Sequence, residues 1–464
     1  MNIVKELYKN KEHMIDLQIK EVPFNNDKIY VINIQSVSSS NLTNEYILEY
    51  FSKLNISKKR FINIKKDILK SIPSISYIVI NEKDIYDYLF EGFTILIYKD
   101  NILAFETKAN LDRSISEPTS EPTVKGPKDS FNENYNINIG LIRKRIKNKN
   151  LYIDEIILGT KTNTRISIMY LNDIVDKKLL NDVKNKIKNI KTDKILDTYY
   201  IKELIKNENK TLFPTIKSTE KPDTISKVLT EGKICILSEN SNSVLIIPTF
   251  FLDFFYNQED NYQKKFFTYF VLFIRLLAFF ITIFAPAIYL SLITYDQQML
   301  PTDLLISFSN QRANVPFPAL IEAFILMFTF EILYEADALT PSSRGTSLSV
   351  LGALILGDAA VSAGIVSPIM VIVVAITAIS SIFFAYHDFQ SFIRLYRYFL
   401  MLLASVFGII GILFGFLLII TKLCNLKSFG KPFLINIAPL IQNKNKKSLI
   451  IQNTNKGDIW KKYY

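Results

Sequence analysis

The sequence predicts an α/β cytoplasmic N-terminal region of two similar subdomains, followed by an α-helical polytopic membrane domain. Residues 266–421 carry only 5 Lys and Arg and 8 Asp and Glu, which is too few charges for a surface in water. Residues 1–265 carry 41 and 35 such residues and contain an internal repeat of strand-like and helix-like segments. The composition therefore excludes a wholly soluble protein, and the length of the apolar block argues against a single-span anchor.

The two N-terminal subdomains are predicted from this repeat. A strand-like run, Ile29–Ile34 in the first copy and Arg165–Tyr170 in the second, is followed in each copy by an amphipathic segment. Aligned on Gly92 and Gly232, both copies close with a helix, a Glu-Gly turn, a strand, a polar turn and a strand. A glycine after a helix suits the left-handed position that ends many helices. A chance likeness between common α/β patterns is the alternative.

The predicted domain boundaries follow from these patterns and from the charge distribution. They are 1–112 for the first α/β subdomain, 113–150 for a linker and basic helix, 151–260 for the second α/β subdomain, 261–421 for a membrane domain with four to six apolar helices, and 422–464 for a basic C-terminal tail.

The linker and its helix carry no sign of nucleic-acid binding. Repeated Glu-Pro-Thr and Gly126-Pro127 indicate an extended segment, and Asn138–Lys149 predicts a basic helix. Aromatic residues do not interleave with its basic residues, so nucleic acid is not an expected partner. The pattern favours a solvated helix face, and a contact with the membrane or with a partner subunit is the alternative.

The N-terminus lacks the apolar core of a signal peptide, so residues 1–265 are expected in the cytoplasm. Lys264 and Lys265 stand immediately before the first apolar segment, as the positive-inside rule predicts. The basic tail at 422–464 has anionic lipid headgroups as its nearest expected partner, and a solvated tail without lipid preference is the alternative.

The apolar block divides into segments of roughly membrane-spanning length. They are Phe266–Ile293, Phe317–Tyr334, Leu348–Ile365, Pro368–Phe384 and Tyr398–Ile420. The third is short and Gly-rich, so a re-entrant hairpin is an alternative to a span. The number of crossings stays open, because the basic tail and the basic residues before the last segment both favour the cytoplasm. If Tyr398–Ile420 crosses the membrane once, the tail and these basic residues lie on opposite sides, so they cannot both be cytoplasmic.

Charged side chains inside the apolar block are the candidate conduit or buried polar residues. They are Arg275, Arg312, Glu322, Glu331 and Asp358. A charge at the bilayer centre costs ~2.5–3.5 kcal/mol on insertion scales, so it normally faces protein or water. Glu322 and Glu331 lie on opposite faces of a helix, so they are not one carboxylate pair. Pairing with Arg275 or Arg312, lining of a water path and snorkelling at helix ends are the alternatives, and Asp358, flanked by small residues, is the best conduit candidate.

Small residues one helical turn apart predict close helix packing in the last segment. They are Ala404, Gly408, Gly411 and Gly415. Packing within one subunit and packing between identical subunits are both compatible with this spacing.

Catalytic motifs are absent from the sequence. It contains no glycine-rich phosphate loop, HExxH or GxSxG, and its two cysteines and two histidines form no metal-ligand spacing. The sequence therefore predicts neither enzymatic activity nor a cofactor or metal.

The apolar block carries the clearest family likeness. The runs LPTDLLISFSNQRANVPFPALIEAFILMFTFEILYEA (300–336) and LSVLGALILGDAAVSAGIVSPIMVIVVAITAIS (348–380) resemble the A subunit of GerA-type spore germinant receptors. The resemblance extends over roughly residues 28–443, through VKGPKDSF upstream and FGKPFLINIAPLI downstream. The stage V sporulation AF protein shares these motifs, and the sequence does not separate the two. Asp358 departs from the Gln that family members often carry there.

The resemblance implies a role in the spore inner membrane. It implies as partners a B subunit, which is a transporter-like membrane protein thought to hold the nutrient, and a C subunit, which is a lipoprotein. The A subunit is expected to form a homo-oligomer and to act as a ligand-gated ion channel. Its coupling loop would include Pro301, Thr302, Pro316 and Pro318. A secondary transporter and a non-conducting scaffold of the receptor are the alternatives.

Overall fold

The computed structural model describes residues 2–24, 27–49, 77–99, 101–110, 125–205, 212–339, 357–384, 386–435 and 437. Three predicted features lie wholly or partly outside these residues: the Glu-Pro-Thr linker, the first part of Leu348–Ile365, and the tail from 438 onward. The chain forms two compact units. The N-terminal unit comprises Met1–Glu208, Thr215–Thr249 and Ser428–Gly430, and the helical unit comprises Asn209–Pro214, Phe250–Lys427 and Lys431–Tyr464.

The N-terminal unit contains two five-stranded antiparallel sheets. The first consists of β1 (Leu17–Phe24), β2 (Asp27–Ile34), β3 (Tyr77–Val79), β4 (Phe93–Tyr98) and β5 (Asn101–Glu106). The second consists of β6 (Leu151–Leu158), β7 (Thr164–Leu171), β8 (Lys217–Thr219), β9 (Ile234–Ser238) and β10 (Val244–Ile247). The helices are α1 (Asn2–Lys11), α2 (Ser40–Thr43), α3 (Ile85–Phe90), α4 (Tyr135–Arg145), α5 (Lys177–Lys188), α6 (Thr198–Ile205) and α7 (Pro222–Thr230).

The two sheets have the same strand order. It is β1-β2-β4-β5-β3 in the first and β6-β7-β9-β10-β8 in the second. Gly92 follows α3 with φ +89° and Gly232 follows α7 with φ +84°, so both adopt the left-handed conformation that the repeat predicts. The α/β character of this region is thus confirmed.

Helix α4 is a core element of the N-terminal unit. Asn134 caps its first turn by accepting hydrogen bonds from the Asn136 and Ile137 amides. Arg143 is fully buried and donates to Asp16 through Nε (3.1 Å to Oδ2) and Nη2 (3.0 Å to Oδ1). Arg143 is thus an exception to the predicted solvated face on Asn138–Lys149, because a buried carboxylate compensates its charge, whereas Lys144, Lys147 and Lys149 are exposed.

Asp154 on β6 links three other segments of the same unit. Its carboxylate accepts from Lys184 Nζ (2.5 Å) and Tyr170 Oη (2.7 Å), and His13 Nδ1 lies 3.1 Å away. Burial opposes ionisation of Asp154, but these hydrogen bonds outweigh it and lower the pKa of the carboxyl.

The helical unit is built from five described helices. They are α8 (Lys265–Thr294), α9 (Thr302–Arg312), α10 (Ala319–Leu339), α11 (Pro368–Ser381) and α12 (His387–Asn425). Among the described residues, two helices are long and apolar enough to cross a membrane, Lys265–Thr294 and Asp388–Asn425, and Pro368–Ser381 is a shorter apolar helix. A multi-pass arrangement with four to six apolar helices stays a prediction.

Helix α12 reverses direction at Gly408, which has φ +60° and ψ −143°. A Cβ atom on Gly411 would lie 2.8 Å from the carbonyl carbon of Leu403, and one on Gly415 would lie 3.0 Å from Leu403 Cδ1 and still closer to Leu400. In a straight helix, residues 400 and 415 would be about 22 Å apart. The described chain therefore forms an antiparallel hairpin with arms 387–407 and 409–425.

This hairpin corrects two predictions from the sequence. Tyr398–Ile420 is not one straight span, so the conflict between the basic tail and the basic residues before this segment disappears: both arms open toward the same side. Gly408 is the turn and does not belong to a continuous packing face with Ala404. Gly411 and Gly415 instead let the second arm approach the first arm of the same chain.

Candidate functional site

Glu331 forms the centre of a buried ion cluster in the helical unit. Its Oε1 accepts a hydrogen bond from Arg397 Nη2, and its Oε2 lies 3.1 Å from Arg394 Nε. The Arg397 side chain is 1% exposed, and the Arg394 guanidinium lies 4.4 Å from the ring centroid of Tyr334. Helix α10 and the first arm of α12 are thus joined by one carboxylate and two guanidinium groups.

Glu322, in the first turn of α10, is the second buried carboxylate. Its Oε1 accepts from the Ser367 amide (2.6 Å) and hydroxyl (2.5 Å), and its Oε2 lies 3.5 Å from Arg312 Nε. Ser367 is the N-cap of α11, so the carboxylate also lies at the positive end of that helix dipole. Glu322 therefore joins the end of α9 to the starts of α10 and α11.

Arg275 does not pair with either glutamate. It donates to Asp260 at 2.5 Å and 3.1 Å and to the Phe255 carbonyl oxygen at 2.9 Å. Asp260 in turn accepts from the Asn257 amide. Of the two arginines that the sequence offers as partners, Arg312 is brought to Glu322, while Arg275 fixes the start of α8.

Asp358 differs from the other four candidates because its side chain is exposed on the single chain. It lies in a short helical stretch, 357–362, and forms no ion pair with any residue in the described part of the chain. Gly364, two residues after this stretch, lies next to the loop between α9 and α10, because a Cβ there would be 3.5 Å from the Asn314 carbonyl oxygen.

The predicted coupling loop contains one complete helix. Pro301 is the N-cap of α9 and Thr302 is its first residue, and Pro316 and Pro318 stand between α9 and α10. All 11 residues of α9 are described and none of them is buried, although the helix carries four large apolar side chains. A helix of this composition without a buried face requires a partner outside the described chain or a lipid surface.

Two sets of residues were missed by the sequence reasoning as site residues. Arg394 and Arg397 are one turn apart, which places them on one helix face, and this spacing could have identified them as a joint partner for a buried carboxylate. Asp296 accepts from the Ile409 amide at 2.8 Å and from the Ser291 hydroxyl, at the turn of the hairpin. It is 113 residues from Ile409 in sequence, and no local pattern indicates it.

Within the described residues, no group of three or more His, Cys, Asp or Glu side chains could hold a metal ion.

Comparison with known proteins identifies the family. Residues 2–459 match the family described as Bacillus/Clostridium GerA spore germination protein. The chain is 41% identical over 340 residues to spore germination protein KA of Bacillus subtilis (strain 168), covering 73% of this chain and 62% of that protein, or less than two thirds of its length. It is 36% identical over 363 residues to spore germination protein B1 of the same organism, covering 78% and 75%.

A third relative covers most of both chains. The uncharacterized membrane protein YfkQ of Bacillus subtilis (strain 168) is 34% identical over 436 residues, covering 93% of this chain and 84% of that protein. The crystal structure of the N-terminal domain of the A subunit of the Bacillus megaterium spore germinant receptor GerK3 matches 53% of this chain and 94% of that chain at 24% identity, with a TM-score of 0.40, too low to establish a shared fold. The resemblance seen in the sequence is confirmed: the chain belongs to the Bacillus/Clostridium GerA spore germination protein family.

Proposed function

We propose that this chain is the A subunit of a spore germinant receptor and that, as a homo-oligomer in the spore inner membrane, it conducts ions when a partner subunit binds a nutrient. Its N-terminal region would lie in the cytoplasm, and its partners would be the transporter-like B subunit and the lipoprotein C subunit. Family membership, the long apolar helix α8 and the apolar hairpin of α12 support this role.

The observation that carries the proposal is the exposed carboxylate of Asp358 in an otherwise apolar block. A charge in such a segment faces water or another protein surface, because lipid contact is too costly. Helix α9, with no buried residue, lies in the same unit and presents a second surface that needs a partner. Neighbouring copies packed on these surfaces would place Asp358 along a water-filled path between subunits.

The ion pairs supply a route by which a partner could act on this path. Arg312 at the end of α9 contacts Glu322, and Glu322 accepts two hydrogen bonds from Ser367, three residues after Gly364. A displacement of α9 would therefore be transmitted through these contacts between helix ends to the stretch that carries Asp358. A partner that binds one arrangement of α9 more tightly shifts the closed–open equilibrium by that difference in affinity.

The test is ion flux through liposomes that contain the purified chain, alone or with its B and C subunits. We expect Asp358→Asn to lower cation flux several-fold or to reduce the preference for cations over anions. Glu335→Gln is the matched control, because Glu335 is another exposed carboxylate of the helical unit, and it should leave flux unchanged. Flux that is absent under every activating condition contradicts the proposal.

A non-conducting scaffold is the second candidate, and the ion pairs of Arg275, Arg312, Glu322 and Glu331 favour it, since these four brace neighbouring helices. A scaffold predicts that Asp358→Asn leaves germination intact while the receptor still assembles. Loss of germination with normal assembly rejects it.

A further inference from the structure

A small cavity lies among the helices of the helical unit, beside the Glu331 cluster. It is lined by residues of α8, α10, α11 and the first arm of α12, which include Thr282, Glu331, Ser381, Gln390, Arg394 and Arg397. It has room for about one particle of the size of a water molecule. Phe384 and Ile393 complete the lining, so polar and charged groups share this cavity with two apolar side chains.

The charges that line this cavity do not balance. Two guanidinium groups, of Arg394 and Arg397, face the single carboxylate of Glu331, which leaves one positive charge in excess. Arg397 is fully buried, and its Nε–H has no hydrogen-bond acceptor among the described residues. The other carboxylate on the same face of α10, Glu335, is exposed and forms no ion pair within the described chain.

The other polar side chains of the lining, those of Thr282, Ser381 and Gln390, are uncharged and do not neutralise this charge. Gln390 accepts from the Tyr334 hydroxyl at 2.7 Å and donates to the Phe384 carbonyl oxygen at 2.6 Å, so its amide is already engaged. A water molecule would give Arg397 Nε an acceptor and Glu331 Oε2, which also lacks a hydrogen-bond partner among the described residues, a donor, but it would leave the excess charge. Burying an unpaired charge is costly, whereas an anion satisfies the donor and cancels the charge together.

We propose that this cavity binds a monatomic halide ion of the chloride class, held by the guanidinium groups of Arg394 and Arg397. The size of the cavity excludes a carboxylate or phosphate ligand. Glu331 competes with the anion for the same two arginines. The anion would thereby fix α10 against the first arm of α12, and this role does not depend on whether the protein conducts ions.

The test is thermal unfolding of the full-length chain in lipid nanodiscs, in sodium chloride and in sodium gluconate at equal ionic strength. Chloride should raise Tm by about 2–4 °C in a saturable manner, and bromide should do the same, whereas gluconate is too large to enter. Arg394→Gln should abolish the response because the cavity then carries no excess charge. Arg312→Gln is the control, since it removes an arginine from the other ion cluster and should keep the chloride response.

Glu331→Gln gives a result that a purely structural ion cluster does not predict. Removing the competing carboxylate should lower the chloride concentration at half-effect by at least about tenfold. If Arg394→Gln does not fold, Arg394→Lys, which keeps the charge, must retain the response, and Glu331→Gln decides the matter. An equal Tm in both salts, or a chloride response that persists in Arg394→Gln, overturns the proposal.

Discussion

Replacing Gly411 by alanine tests the reversal of α12, because a straight helix and a hairpin predict effects of opposite sign. In a straight helix, alanine is more stable than glycine by about 0.5–1 kcal/mol, so the variant would gain stability. In the hairpin, the new Cβ lies 2.8 Å from the carbonyl carbon of Leu403 and closer still to its oxygen. These are backbone atoms of the other arm and cannot rotate away.

The size of the effect follows from this distance. Ordinary Cβ contacts begin at 3.4 Å, so the Leu403 carbonyl carbon alone requires the two arms to separate by about 0.6 Å, and its closer oxygen requires a larger shift. Overpacking of this kind costs about 1–3 kcal/mol, and the helix propensity of alanine offsets part of it, so the net loss should be about 0.5–2 kcal/mol. Gly415→Ala meets only the side-chain ends of Leu400 and Leu403, which can move, so its loss should be smaller.

The assay is thermal unfolding of the purified full chain in one detergent. Gly357→Ala is the matched control, because its Cβ would contact only Val371 Cγ1 at 3.6 Å. The expected order of Tm is Gly411→Ala below Gly415→Ala, with Gly357→Ala at or above the parent chain. A rise in Tm for Gly411→Ala that equals the rise for Gly357→Ala would refute the hairpin.

Three further predictions concern cysteine labelling, pH and a buried ion pair. A membrane-impermeant maleimide should label Cys424 and the cysteine of a Lys265→Cys variant from the same membrane face, and labelling from opposite faces would contradict the hairpin. Cys235 should stay unlabelled, because it is buried and burial raises the pKa of its thiol. The lowered pKa of Asp154 stabilises the N-terminal unit above about pH 4, which is the pKa of the carboxyl in the unfolded chain, and this stabilisation is lost as pH falls through the lower pKa of the folded chain. Asp154→Asn should therefore flatten the acid side of a plot of Tm against pH. An unchanged acid side would argue against this role of Asp154. Asp16→Ala leaves its buried arginine partner unpaired and should cost about 3–5 kcal/mol in denaturant unfolding, and a loss below 1 kcal/mol would show that the pair is dispensable.

Local turn chemistry made the repeat of the N-terminal unit predictable. Gly92 and Gly232 each follow a short helix and a glutamate, and only the residues next to them are needed to recognise the left-handed position that ends a helix. Once these two turns are aligned, the strands on either side fall into the same order, as the two sheets show.

Long-range pairing accounts for what the sequence did not reveal. Arg143 is 127 residues from Asp16, and Arg397 is 66 residues from Glu331, so helical periodicity cannot tell a buried partner from a solvated charge. The reversal at Gly408 was hidden for a related reason. Apolar residues continue without interruption on both sides of this glycine, and hydropathy alone describes them as one span.

The contact between Asp296 and the Ile409 amide also bears on how the chain enters a bilayer. During synthesis, Asp296 leaves the ribosome 113 residues before Ile409. The Asp296 carboxylate is therefore in place when the tip of the hairpin is made. Without it, the Ile409 amide at the tip would face lipid with no hydrogen-bond acceptor. A rearranged gene that encodes 387–425 ahead of 265–294 would remove this advance partner, and insertion of the hairpin should then become the slow step of biogenesis.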